Sequence, residues 1–168
     1  MVQAVDYLGI RNQLTSIIQA ANTTTATYNL SNSLTASIVT ITNRDLSIEP
    51  LMITEFPAVS VRLVSKTEDF AEFGNGIIDR DITVSAQIAC VYDSGDKASA
   101  EDNLWIMVRN VEANLRLNTD LNNYNTAGAK VTAILPASAE FVDNFGDESS
   151  YNKSATIDIA ININSIDV

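Results

Sequence analysis

The feature that most constrains this chain is a sixteen-residue alternation from Ile77 to Tyr92. Ile78, Ile82, Val84, Ala86, Ile88, Cys90 and Tyr92 fall on one face, interrupted by Arg80, while Asp79, Asp81, Thr83, Ser85 and Gln87 fall on the other. A period of two marks a strand buried on one side. Asp93-Ser94-Gly95-Asp96 then turns the chain, and Ala100, Leu104, Met107, Val108, Val111 and Leu115 recur at helical spacing. A long strand followed by a long amphipathic helix makes a two-layer unit, helix over sheet.

The rest of the chain supplies more of the same two layers. Tyr7, Ile10, Leu14, Ile17, Ile18 and Ala21 form the buried stripe of a first helix, with Asp6 as its N-cap. Asn22 to Ser33 is rich in Thr, Asn and Ser, carries no charge, and reads as a loop that buries little. Leu34 to Ile41 is β-branched and reads as a strand, followed by a connection from Asn43 to Pro50. A strand starts at Phe56-Pro57-Ala58-Val59-Ser60-Val61 and runs to Val64, with proline where a missing N–H does least harm. Lys66 to Gly76 reads as an acidic, aromatic loop holding Glu68, Asp69, Phe70, Glu72 and Phe73, so that strand, loop and long strand form a hairpin with an extended tip. Its phenylalanines either tuck back onto the sheet or dock on another subunit.

After the second helix and an Asn-rich loop, Lys130 to Leu135 reads as a short strand ended by Pro136. Ala137 to Asn152 mixes Glu140, Asp143, Asp147 and Glu148 with Phe141, Phe145 and Tyr151. Ala155, Ile157, Ile159, Ile161 and Ile163 mark the last strand, whose register reads as flipping near Ser165 into a bulge or free tail. The expected fold is α+β: a two-layer domain over residues 1–168, with a mainly antiparallel mixed sheet of about five strands and two amphipathic helices on one face.

Composition excludes several chemistries. Histidine is absent, which removes the commonest neutral-pH general base and metal ligand. The single cysteine, Cys90, lies on the apolar face of the long strand and reads as a small buried hydrophobe. With no His and one Cys, His-dependent triads and ordinary structural zinc sites are ruled out. A net charge of −11 with ten scattered cations argues against binding phosphate directly. No run long enough for a membrane span occurs, and no basic-then-apolar leader opens the chain.

The remaining constellations favour structure over catalysis. Asp79 and Asp81 flank Arg80 and project together from one strand face; two carboxylates can do acid–base work only when held apart with one pKa raised. A solvated strand end, or one bridged to another subunit, explains them more simply. Asp93, Asp96 and Asp102 do not match a calcium-loop spacing and suit turn and capping roles. Gly74-Asn75-Gly76 precedes a strand, so it is no phosphate cradle. Trp105 sits at the border of the helix stripe as core-edge packing. No catalytic residue, cofactor or metal ligand is expected.

This order resembles the tail terminator family of long-tailed bacteriophages. The matching features are the helix Tyr7–Ala21, the strand start Phe56–Val61, the acidic loop, the long strand ending Ala89-Cys90-Val91-Tyr92, the helix Ala98–Leu117 and the closing strand Ser154–Ile163. The resemblance implies a structural virion protein, assembled in the host cytoplasm, that closes into a six-membered ring. Such a ring caps the tail tube, ends its polymerisation and forms the tail side of the head–tail neck. Its implied partners are itself, the tail tube protein and a head–tail connector or stopper protein. Genome DNA would pass through its lumen without specific binding; six copies at −11 each carry −66, which repels DNA. Head-to-tail contacts are then needed, for which Glu68, Asp69, Phe70, Glu72, Phe73, Asp79, Arg80, Asp81, Phe141, Asp143 and Phe145 are interface candidates. Two other classes compete: another neck, connector or tube component, and a small-molecule enzyme or binding domain, which would need a pocket of converging polar groups.

Overall fold

In a computed structural model, the described residues are 5–46, 49, 51–73, 77–126, 129–145 and 151–167, with the side chains of 70–73, 77, 78, 125, 126, 143–145, 151, 166 and 167 left out of the description. Two helices, α1 (Tyr7–Ala21) and α2 (Lys97–Leu117), accompany strands β1 (Thr40–Thr42), β2 (Ala58–Phe73), β3 (Ile77–Ser94), β4 (Asn125–Thr126), β5 (Ala129–Phe145) and β6 (Tyr151–Asp167). The strands form one six-stranded sheet in the order β1-β2-β3-β6-β5-β4. Only β1 and β2 run parallel; every other neighbouring pair is antiparallel. The fold is therefore the expected α+β arrangement.

The alternation in β3 sets which face is covered. Ile82, Val84, Ala86, Ile88 and Cys90 are buried in one core with the helices, together with Ala155, Ile157, Ile159, Ile161 and Ile163 of β6. Each fully buried isoleucine such as Ile157 contributes about 1.5–3 kcal/mol against remaining exposed. From the helix side, α2 buries Leu104, Met107, Val108, Val111 and Leu115, and α1 buries Ile10, Leu14, Ile17 and Ile18. Both caps are aspartates: Asp6 accepts from the Gly9 N–H at 2.8 Å and Asp96 from the Ser99 N–H at 2.8 Å. A Cβ on Gly9 would collide with the Tyr124 hydroxyl and the Asp6 carboxylate, so the close approach of those groups requires glycine there.

Four sequence expectations are corrected. The strand expected over 34–41 shrinks to Thr40–Thr42. The backbone before it bonds to side chains of other elements: the Thr35 N–H donates to Asn103 Oδ1 at 2.8 Å and the Ala36 N–H to the Tyr92 hydroxyl at 3.2 Å. The loop expected from Lys66 is strand as far as Phe73, because each residue finds a partner on β3, down to Phe73 opposite Ile77. The strand expected to end at Pro136 runs on to Phe145; a register shift between Pro136 and Ser138 absorbs the proline on an outer strand, where its lost donor is tolerated. Finally, β6 keeps its register with β3 through Ser165 to Asp167. The polar residue breaking the β3 pattern and the one breaking the β6 pattern are register partners: Arg80 Nη2 donates to Ser165 Oγ at 3.2 Å. Two apparent irregularities in sequence are one hydrogen-bonded pair.

Candidate functional site

The helices cover one face of the sheet; the opposite face is a polar surface with a strap across one corner. The strap is the segment between β1 and β2, which carries a 3-10 turn at Ile53–Glu55. It is held by an ion pair from Arg62 Nη1 to Asp45 Oδ1 at 2.6 Å, by the Ser60 hydroxyl donating to the Arg44 carbonyl, and by an internal Arg44–Glu55 pair. The Met52 N–H and the Arg44 guanidinium hold the Glu55 carboxyl below the usual range. Between strap and sheet lies a cleft of about 470 Å³, lined by Leu46, Leu51, Phe56, Arg62, Val91 and Thr156 among others. Among the described residues that line it, the one cation, Arg62, is paired with Asp45.

Beyond the strap, side-chain amides and carboxylates bridge the strands of this face. Gln87 Nε2 donates to Asp158 Oδ1 at 3.0 Å, and the Ser138 hydroxyl donates to Asp158 Oδ2 at 3.0 Å. Asn164 Nδ2 donates to Asp79 Oδ1 at 3.0 Å and to Asp81 Oδ1 at 3.2 Å. The two carboxylates singled out in the sequence thus share one amide from β6.

On the helix side of the same hairpin, Glu68 accepts from Lys66 Nζ at 2.8 Å and from the Tyr7 hydroxyl at 3.3 Å. The Lys66 ammonium, with help from Tyr7 and the charge of Arg80, holds Glu68 below its ordinary range, and the same contacts raise Lys66. Lys66 also sits 5.2 Å from the centre of the Tyr7 ring. Glu68 therefore ties β2 to α1 and Arg80 ties β3 to β6, while Asp69 and Asp81 remain exposed.

The second group of candidates lies on β5. Phe141 stacks on Trp105 of α2 with ring centres 3.9 Å apart and an interplanar angle of 30°. Trp105 is 54% exposed, so the indole lies on Phe141 as an outward ledge at the sheet's edge. The side chains of Phe70, Glu72, Phe73, Asp143 and Phe145, and residues 74–76, lie outside what is described. The two candidate groups stand on opposite sides of the sheet: β2 near one edge, β5 near the other.

Sequence reasoning missed a third set. Asn103, Asn110 and Asn114 are buried on one side of α2; Asn110 and Asn114 clamp the Thr/Asn-rich loop, and Asn103 holds Thr35 just beyond it. Asn110 Nδ2 donates to the carbonyls of Leu30 and Asn32, both at 2.9 Å, and Asn114 Nδ2 to that of Tyr28 at 2.6 Å. That loop buries Leu30 completely, against the expectation that it buries little. The seven- and four-residue spacing of these asparagines, within the helix's inner half, was the available signal.

Among the described residues, no group of three or more His, Cys, Asp or Glu side chains could hold a metal ion, and no helix is long and apolar enough to cross a membrane. No family model matches the sequence, and no curated protein does. Among solved structures, a chain from the virion of a native gene transfer agent particle is similar over 94% of this chain and 99% of its own length, with a TM-score of 0.47 and 9% sequence identity.

Proposed function

We propose that this chain is a structural subunit of a phage-type virion and acts as a tail terminator, a six-membered ring that caps the tail tube and forms the tail side of the neck. The observation carrying this reading is architectural: the sequence order that resembles that family folds into one sheet with both helices on a single face. In this reading the other face beyond the strap and the lateral edges make contacts outside the chain. The chain would work by fitting against copies of itself, the tube and a connector, with no bond-making centre and no bound cofactor. DNA would pass the assembled ring without sticking, since a surface at −11 per copy repels phosphate.

Negative-stain microscopy and native mass of the purified protein, alone and with tail tubes, test this. Single closed rings that bind tube ends are expected. Stacked rings or filaments would instead identify a tube subunit. A monomer at all concentrations that ignores tubes would overturn the assignment.

A further inference from the structure

The ends of the strand order are unlike its middle. Beyond its contact with β1 at Ala58–Ser60, β2 has no outer strand among the described residues, and beyond β4 at Ala129–Lys130 neither has β5. Exposed large apolar side chains lie beside both edges. Val39 and Val64 lie along the β1–β2 side, with Met52 and Ile53 on the strap that joins those strands, and Trp105, Leu135 and Val142 along the β5 side. Exposed apolar groups collected in this way mark interaction surfaces.

The edges also match in height, direction and charge. Register partners form rows across the sheet, and one row runs Ser65, Ser85, Ala160, Leu135. Val64, 50% exposed at the β2 bulge, therefore stands level with Leu135, 53% exposed beside the β5 bulge. A second row runs Asp69, Asp81, Asn164, Lys130, acidic at the β2 end and basic at the β5 end. A third runs Arg62, Gln87, Asp158, Ser138, with its cation at the β2 end and its carboxylate toward β5. The first two rows are complementary to a repeat of themselves laid end to end; in the third, Arg62 is already paired with Asp45 and Asp158 lies on the inner strand β6. With three antiparallel steps between them, β5 runs opposite to β2, so a β5 edge meets the β2 edge of a second copy in antiparallel sense.

We infer that these two edges are the two halves of one interface: the β5 edge of each copy receives the β1–β2 edge of the next, setting Leu135 against Val64 of that next copy and bringing the Lys130 side chain, which has β4 outside it, level with Asp69. The inference rests on the ring reading above and names the surfaces that would join the ring. The contact is heterologous, the kind that closes into a ring when its rotation allows. The bulges and Pro136 keep either edge from pairing indiscriminately, which suits a single intended partner.

The full-length chain tests this directly. Because Cys90 is buried, a Val64→Cys, Leu135→Cys double variant carries two accessible thiols, and mild oxidation should produce a ladder of covalent multimers. Either single variant should give none; disulfide dimers from one alone would mean like edges meet and would overturn the inference. Asp69→Lys or Lys130→Asp alone should weaken assembly about tenfold or more by placing like charges together, and the double swap should restore it. Closed rings by native mass with neither cross-linking nor charge rescue would refute the edge contact and leave the ring reading standing. A persistent monomer would remove both.

Discussion

At the scale of single residues, the buried asparagines of α2 carry more of the fold than their polarity suggests. Asn110 satisfies two carbonyls of a loop with no strand partners of its own. Asn110→Asp keeps the shape and removes the donors, so it should destabilise the protein by about 1–3 kcal/mol or more, read as a lower urea midpoint. Asp96 sets a pH dependence. Hydrogen bonds from Ser99 hold its carboxyl below the ordinary 3.8. Its stabilising share is therefore present above 3.8 and lost as pH falls through the lower, folded-state value. Asp96→Asn should flatten that part of the acid limb in thermal melts at stepped pH. Burial pushes the Cys90 thiol up to about 12. Since the thiolate is the reactive form, a thiol reagent at pH 8 should label the protein only at the rate of unfolding.

At the scale of elements, α2 ties the layers together. Met107→Ala should cost about 2–5 kcal/mol by opening a cavity between helix and sheet, measured by chemical denaturation. Periodicity made such positions legible: all six apolar residues assigned to the α2 stripe are buried, and the α1 stripe and its Asp6 cap stand where the spacing put them. What periodicity could not show was pairing between distant strands. The acidic residues from Lys66 to Phe73 look like a loop until β3 is laid beside them, since exposed strand and loop share a composition. Arg80 and Ser165 look like faults until the register joins them. The candidate site was legible in part. Phe141 was singled out, but its partner Trp105 was read as core edge; 36 residues separate them in sequence, and only the packing of α2 on β5 brings their rings together.

At the scale of the whole molecule, charge opposes association. Each copy carries −11, and copies in the proposed ring would lie within reach of one another's field. Raising ionic strength from about 10 mM to about 150 mM shortens the screening length from about 30 Å to about 8 Å. Assembly, followed by sedimentation velocity, should therefore strengthen with added salt over this range; weakening would mean that local ion pairs outweigh net repulsion.

The position of β6 has a consequence for how the chain reaches this fold. It follows all the other strands in sequence yet lies between β3 and β5 at the middle of the sheet. Until Tyr151–Asp167 leave the ribosome, β3 and β5 lack the strand that joins them, and the apolar side chains that β6 packs against have no partner there. Closure waits on contacts between residues far apart along the chain, which are slow to form. The interval before β6 arrives is when the unfinished protein is most exposed to sticking to its sister chains.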